Sequence, residues 1–528
     1  MTSTTGQEDA AAQTAVGQDA AAEEAGIVRT VNQALRRLWS GRGVLLLLDD
    51  FDHRATSLVG ELRACGARVE AVLSRTGPGP GAPAVPHSRR CRESGPEMTR
   101  PEFEAWLRTP SQEVRRWLDG LDPGRRWLAL GTPRTGVAEF LGRQVYGWRR
   151  PEWAAVEDKT TIDRLWAAAG VAAPPHVVVA AEELRRGPQG AGPQGAGPLG
   201  AGPQGTGNGI GLGIGIGIGE IAGPAGVVVA ADSTRGHVGD SLGLRWVPDP
   251  GDPDRFQESV RDLAGRADRV RIARFADGVP CSVLGMALPD GIAVFSPIEI
   301  VTLGDPETGR LLFCGSSTHW RPGPAAVRDM RDATRRAGRE LVRTTGYRGI
   351  FSVDGLLTPD GFTATELNPR HASGLGLRAA LPDFPVYLFN RAVQEELPGL
   401  EGIGSAALER VVRRAVAAAP SYSLTVPVAR TGPADGFADG PARLRHDGSV
   451  IDYRTADGVA VVTAVSPPAP GHRAGPACAA LAAHLGDPGL RSFPLGSGAA
   501  GGAREPRRTR SGHRSAAAPR PPSAQAHP

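Results

Sequence analysis

The sequence predicts an α/β doubly wound domain at the N-terminal side, a longer α+β region after it, and a small α+β appendage, with disordered termini. Three observations carry this. Residues 27–150 alternate short apolar runs with helical patterns, as βαβ units and a parallel sheet require. From residue 225 onward strands and turns follow one another with few helices between them. Glycine (71) and proline (46) gather in a few stretches of the 528-residue chain, which marks those stretches as linkers and not as packed core.

In chain order, residues 1–26 are mostly Ala, Gln, Glu, Asp, Gly and Thr without apolar periodicity and are expected to be disordered. Ile27, Val31, Leu35 and Leu38 then recur at helical spacing, with Gly41 as the stop. Residues 43–50 (GVLLLLDD) read as a buried parallel strand, 54–66 as a helix ended by Gly66, and 67–73 as a second strand; together they form a βαβ unit. A Gly/Pro-rich loop (77–96), a helical stretch holding Trp106 and Trp117, a strand at 126–131 and a helix after Thr135 complete the domain near residue 150. Asp49, Asp50 and Asp52, with His53, stand at the carboxyl end of the first strand, where open α/β sheets place ligands. The same acids would also serve as helix caps in a solvated loop.

The second region spans 151–400 and carries a low-complexity insertion at 187–225. Glycines there are spaced alternately by three and two, which is not the strict third-position glycine of collagen, and then occupy every second position from 207 to 219. This is the pattern of a flexible surface insertion. Strands follow at 225–232, 270–278, 280–288 and 291–303, then a long helix over 324–345. Last comes a hairpin, GIFSVDGLL and GFTATELNP, turned at Thr358-Pro359-Asp360-Gly361. Residues 401–495 form the α+β appendage, and 496–528 a disordered Arg-rich tail.

Composition excludes several classes. The tail from Arg504 to Arg520 carries six arginines against Glu505, while the whole chain is only +4, so the basic balance belongs to the tail and does not indicate a nucleic-acid-binding body. The five cysteines lack CxxC spacing and read as reduced thiols, not as a zinc or disulfide framework. No apolar run is long enough for a membrane span and no secretory h-region is seen, so a cytoplasmic protein is expected. Among 60 basic residues only Lys159 is a lysine.

The chemistry concentrates at 349–376. Glu366 and Asn368, two apart on one strand, share a face, and the turn at 359–361 brings Asp354 opposite them. Two carboxylates and an amide are hard oxygen donors suited to Mg²⁺, with Mn²⁺ as an alternative, in company with substrate phosphates. Arg370, two further on, can hold a phosphoryl oxygen with its planar fork. A solvated hairpin with exposed acids is the plainer alternative.

Those residues resemble the metal-binding signature of the ATP-grasp ligases: TELNPR, with an aspartate one strand earlier. EDKTTIDRLWAAAGVAAPP (157–175), GVVVAADSTRGHVGDSLGLRWV (226–247) and VRIARFADGVPCSV (270–283) are similar, in the same order, to that family's entry segment, phosphate loop and interdomain hinge. The resemblance covers about 150–380, and the preceding domain is similar to the family's pre-ATP-grasp domain; actinobacterial ligases of peptide-like natural products are the nearest group. It implies an ATP-grasp fold and assigns Asp354, Glu366 and Asn368 to Mg²⁺, with Glu366 and Arg370 catalytic. Lys159 would meet the nucleotide phosphates. Arg235, Gly236 and Gly239, within a flap from Thr234 to Ser241, would cover them, and Ala273, Arg274, Phe275 and Ala276 would offer backbone to adenine. Gly374 and Gly376 would also face ATP.

Three positions depart from the family pattern. Ala230 stands where a second phosphate lysine is usual, with Arg235 as a substitute. Pro280 stands near the usual ribose acid, with Asp277 as the replacement. Ser352 stands where some members have an arginine.

The resemblance implies an ADP-forming ligase that joins a carboxylate to an amine through an acylphosphate, with small-molecule amino-acid or peptide substrates and no nucleic-acid or membrane partner. A degenerate ATP-binding scaffold is the competing reading, motivated by Ala230 and Pro280. A bicarbonate-using carboxylase is a third, weakened because HASGLG after NPR lacks an acid-histidine pair. Glu299 and His319 are candidates for the acceptor side, against plain roles as a strand-edge acid and a hydrogen-bonded loop histidine.

Overall fold

A computed structural model describes residues 5–93, 95–186, 220–233, 243–371, 376–428, 440–456, 458–466 and 471–495. Four parallel strands open the fold, in the spatial order His87–Arg90, Arg68–Ser74, Gly43–Leu48, Leu128–Gly131. Side chains alternate across this sheet: Val44, Leu46 and Leu48 pack with Ile27, Leu35 and Trp39, whereas Leu45 and Leu47 pack with Phe103, Val114 and Leu118. Apolar residues on both faces are what a buried parallel strand needs, and the doubly wound domain expected from GVLLLL is present.

A second sheet has four antiparallel strands in the order His176–Ala180, Arg269–Arg274, Val227–Ala231, Leu244–Val247. The third is an eleven-stranded sheet. Its run begins Gly361–Asn368, Gly349–Thr358, Val279–Leu288, Ile298–Gly304, Leu311–Ser317. One face of these strands, with Cys281, Val283, Val353 and Leu367, is covered by the helix Pro324–Thr345 through Met330, Ala337 and Leu341. The other face is thereby left to the site.

Several expectations change. The first helix runs Thr5–Trp39, so it begins well before the Ile27 start read from the apolar spacing. Alanine, glutamate and glutamine are strong helix formers, and the buried stripe from Ile27 to Trp39 supplies the nucleus from which the helix extends. Its Glu23 pairs with Arg410 and Arg414 of the helix Ser405–Ala418. After Thr135 there is no helix but a short hairpin, Glu139–Phe140 with Arg143–Gln144.

The strands of residues 401–495 continue the large sheet. Tyr422–Pro427 adds to the edge of Leu311–Ser317, Val459–Ser466, Ser449–Ala456 and Gly440–His446 follow, and Arg491–Ser492 pairs with Ile298–Gly304. The reason is an edge that would otherwise carry unpaired backbone groups. The boundary at 150 is bridged too: Val386–Gln394 packs on Thr56–Ala64, and Glu61 accepts from the Tyr387 and Leu388 N–H groups at 3.1 and 3.2 Å. All five cysteines are buried and unpaired. Among the described residues no helix is long and apolar enough to cross a membrane. Residues 187–219 of the insertion, the 496–528 tail, and Arg235, Gly236, Gly239 and Gly374 lie outside the described residues.

Candidate active site

The hairpin folds in the register its sequence implies: Asp354 lies opposite Glu366 and Ser352 opposite Asn368. A bulge after Asp354 leaves Thr365 as the extra residue, and it keeps Glu366 and Asn368 on the same face as Asp354. Glycine is needed there, because a Cβ on Gly355 would come within 2.3 Å of the Thr363 carbonyl oxygen. The row continues across the sheet, with Asp354 opposite Ser282 and Ser282 opposite Ile298. One line of side chains thus runs from acids to aliphatics.

Hydrogen bonds fix the acids. Ser282 Oγ donates to Asp354 Oδ1 at 2.6 Å, and Asn368 Nδ2 donates to Asp354 Oδ2 at 2.9 Å. Burial, and then the facing Glu366, push the Asp354 carboxyl up to about 6. Lys159 Nζ donates to Glu366 Oε1 at 2.8 Å. The only lysine of the chain therefore reaches the hairpin from a segment more than 200 residues away in sequence.

Arg370 donates from Nε to Glu157 Oε1 at 3.0 Å and from a terminal nitrogen to Asn368 Oδ1 at 2.8 Å. Glu157 is 2% exposed and also lies 2.7 Å from Arg149. Burial opposes the charge of Arg370, but Glu157, Glu366 and Asp354 outweigh it and raise its pKa. Next in sequence, His371 is pushed down to about 3 by burial and by Arg391, Arg378 and Arg370, so its ring is neutral.

Lys159, Ser282, Asp354, Glu366, Asn368 and Arg370 line a cleft of about 360 Å³ between the antiparallel four-stranded sheet and the eleven-stranded sheet. Ile298, Ile300 and Phe313 line it from the large sheet, and Val228, Ala230 and Ala273 from the small one. Near its aromatic wall Phe275 stacks on Trp246 at 4.6 Å, with Phe493 against both. Such a space, apolar with a few converging polar groups, has the anatomy of a small-molecule site.

The stretch Ala273–Ala276 borders this cleft, but two of its backbone donors are already engaged: Arg274 N–H with Pro175 O (2.9 Å) and Phe275 N–H with Gly226 O (3.0 Å). The Arg274 side chain donates to Ile221 O. Asp277 accepts from Leu495 N–H at 2.8 Å, which ties down the C-terminal segment, and it is not among the cleft-lining residues. Gly376 packs against Thr318 at the start of Leu377–Ala380 and is not among the cleft-lining residues.

Glu299 is a structural acid. It accepts from the Ala474 and Gly475 N–H groups at the start of the helix Gly475–His484, and pairs with Arg473. His319 stacks on Tyr422 at 4.1 Å.

Sequence reasoning missed four residues. Ser282, Glu157 and Arg134, which also lines the cleft, had no local signal. Arg271 did have one. It is two residues before Ala273 in a strand, hence on the same face, and it pairs across the sheet with Ala230. Its guanidinium, held by Asp163 at 2.8 Å through both Nε and a terminal nitrogen, lines the cleft beside the position that lacks a lysine.

The donor set fits a divalent cation. Two half-buried carboxylates face each other, one with its pKa raised, and a bound cation would relieve that repulsion. Asn368 presents its amide nitrogen to Asp354 and its oxygen to Arg370, so it bridges the two groups in this arrangement.

The cleft thus lies between two antiparallel sheets, with acids and cations at one side and aliphatic and aromatic walls at the other. Neither protein-family models nor curated proteins match the sequence. Solved structures resemble it over most of its length. An L-amino acid ligase from Bacillus licheniformis is 12% identical at a TM-score of 0.48, covering 86% of this chain and 99% of that one. An N5-carboxyaminoimidazole synthase from Aspergillus clavatus, in complex with ADP and 5-aminoimidazole ribonucleotide, is 12% identical at 0.46, covering 85% and 99%. A phosphoribosylamine–glycine ligase from Thermotoga maritima is 15% identical at 0.38, covering 80% and 90%. At such identities, and at TM-scores below 0.5, none of these likenesses decides the site or the reaction.

Proposed function

We propose that the chain is an ATP-dependent ligase of the ATP-grasp type that joins a carboxylate to an amine, with amino-acid or peptide-like substrates. The observation that carries this is the convergence of Asp354, Glu366, Lys159 and Arg370 on one side of a cleft that also has aliphatic and aromatic walls. Asp354 and Glu366, with Asn368 beside them, would hold Mg²⁺. When bound, Mg²⁺ screens the charge of the β and γ phosphates.

The chain's own groups do the rest. Lys159 and Arg271 offer cations to the phosphates, and Arg370, locked by Glu157, presents its fork to the transferring phosphoryl group. The aliphatic and aromatic walls take the base, with Ala276 and the carbonyls of the Ala273–Ala276 stretch as its polar edge. A substrate carboxylate oxygen bonds to the γ-phosphorus as the bond to the β-phosphate oxygen breaks, which releases ADP. An amine then bonds to the acyl carbon, the carbon–oxygen bond to phosphate breaks, and the amine proton passes to solvent. No protein nucleophile is required, so positioning and charge screening suffice.

The test is ADP release with a panel of amino acids and small carboxylic acids, in the wild type, Glu366→Ala and Lys159→Ala. Substrate-dependent ADP that disappears in Glu366→Ala and needs more ATP in Lys159→Ala is the expected result. No ADP with any panel member, together with no Mg²⁺–ATP binding by calorimetry, would end the ligase reading.

A further inference from the structure

One wall of the cleft comes from residues 491–495, more than 200 residues beyond the Ala273–Ala276 stretch. Ile298, Ile300, Thr302 and Gly304 alternate on one face of their strand, and the first three line the cleft. Ile298 is the member joined through Ser282 to Asp354, so Gly304 marks the end away from the acids. There the ring of Phe493 takes the space that a side chain would fill: a Cβ on Gly304 would come within 2.3 Å of Phe493 Cζ. Phe493 itself lines the cleft. We propose that Phe493 is a contact for the nucleotide base and that Asp277 and Arg473 are the positioning residues that hold it there; this rests on the nucleotide reading of the cleft.

Two polar side chains flank the ring. Arg473 donates from a terminal nitrogen to the Phe493 carbonyl oxygen, and Asp277 accepts from Leu495 N–H at 2.8 Å. Hydrogen bonds with one ionised partner are about twice as strong as neutral ones. Arg473 is in turn paired at 3.3 Å with Glu299, which also accepts from Ala474 and Gly475 N–H at 2.6 and 3.1 Å. The anchor is buried, since the Glu299 side chain is 1% exposed. Pairing of Arg491 and Ser492 with Gly304 and Leu303 would by itself satisfy the strand edge. The contacts of Arg473 and Asp277 fix the residues after it, of which Phe493 meets the cleft.

The neighbouring rings show what Phe493 is held against. Its centroid lies 5.9 Å from that of Trp246 on the small sheet and 5.6 Å from that of Phe275. Trp246 is fixed independently, its backbone N–H donating to Gly309 O at 3.2 Å and its indole N–H to Ala225 O at 2.7 Å. Trimming Phe493 therefore leaves the other two rings anchored. With the Arg274 and Phe275 N–H groups already engaged, the Ala273–Ala276 stretch has fewer donors for a base edge, and ring contact carries more of the binding. Contact with an aromatic side chain is worth roughly 5- to 100-fold in affinity per base.

Calorimetry with Mg²⁺–ADP on the full chain tests this, with Mg²⁺–tripolyphosphate as a ligand that has phosphates and no base. Phe493→Ala should bind Mg²⁺–ADP roughly 5- to 100-fold more weakly, and Asp277→Ala should shift affinity in the same direction. Phe493→Tyr, which keeps the ring, and Asp277→Asn, which keeps an acceptor, should bind as the wild type does. Tripolyphosphate affinity should change in none of them. Thermal unfolding checks that the variants fold, and Phe493→Leu, which keeps apolar volume without the ring, replaces Phe493→Ala if that variant does not. Unchanged Mg²⁺–ADP affinity in the folded Phe493 or Asp277→Ala variant, an equal loss for tripolyphosphate, or failure of the two conservative variants to restore binding would overturn the proposal and leave the nucleotide site standing. No Mg²⁺–ADP binding by the wild type would end the nucleotide reading, and this proposal with it.

Discussion

Glu157 is the residue whose removal is most informative. Its Oε1 lies 2.7 Å from Arg149 and 3.0 Å from Arg370, and its side chain is 1% exposed. Replacing it with glutamine keeps the shape and removes the charge, so two guanidiniums face one another with no acid between them. Removing one partner of a buried ion pair costs about 3–5 kcal/mol. Two cations share this one anion, so the upper half of that range is expected. Urea unfolding of Glu157→Gln should therefore shift to a lower midpoint, while Glu157→Gln combined with Arg149→Met should recover part of the loss.

The kinetic consequence is separate. Arg370 loses the contact that aims its fork, and a misplacement of about 1 Å typically costs on the order of 10²-fold in rate. The expected signature is a fall in kcat for ADP release with the KM for ATP nearly unchanged, since in the proposed function Lys159 and the apolar walls hold the nucleotide. A variant less than about 1 kcal/mol destabilised, with unaltered kcat, would refute the claim that Glu157 positions Arg370.

Arg271→Met should weaken Mg²⁺–ATP binding by roughly 10- to 100-fold, as expected for a charge-assisted hydrogen bond, if it stands in for the lysine missing at Ala230. Calorimetry on the folded variant decides it, and an unchanged affinity assigns Arg271 only to its pairing with Asp163.

Stability should also depend on pH through Glu61. Burial, against hydrogen bonds from Leu388 and Tyr387 and the charge of Arg378, pushes this carboxyl from 4.5 up to about 7. A carboxyl that binds its proton more tightly in the folded state favours folding while protonated, so the contribution falls as pH rises from about 4.5 to about 7, by about 3 kcal/mol. Urea midpoints across that window should decline less steeply in Glu61→Gln than in the wild type, and parallel curves would refute the assignment.

Local pattern was legible wherever one element contained the whole signal. The run GVLLLL is buried on both faces, the helix Pro324–Thr345 spans the stretch read from the sequence, and the turn Thr358-Pro359-Asp360-Gly361 set Asp354 against Glu366. The period of two in a strand was sufficient to place Glu366 and Asn368 on one face. It could have found Arg271 by the same rule applied from Ala273. Composition misled at the N-terminal side, where lack of apolar periodicity concealed a helix carried forward by Ile27–Trp39 and by its pairing with Arg410. Likewise the nearness of Asp277 to the hinge in sequence said nothing of its contact with Leu495.

The sequence by itself determined the strand at Gly43–Leu48, the helix Pro324–Thr345, the acid pair of the hairpin and the singular lysine, because each is set by side-chain period, turn chemistry or residue type within a few positions. Only the tertiary structure decided that Lys159 meets Glu366, that Glu157 holds Arg370, that residues 422–492 complete the edge of the large sheet, and that Asp49 opens onto a cavity beside the cleft. Those contacts join segments far apart in the chain. They depend on which sheet edges and apolar faces remain to be covered once local structure has formed, a matter of the whole fold that no short window of sequence contains.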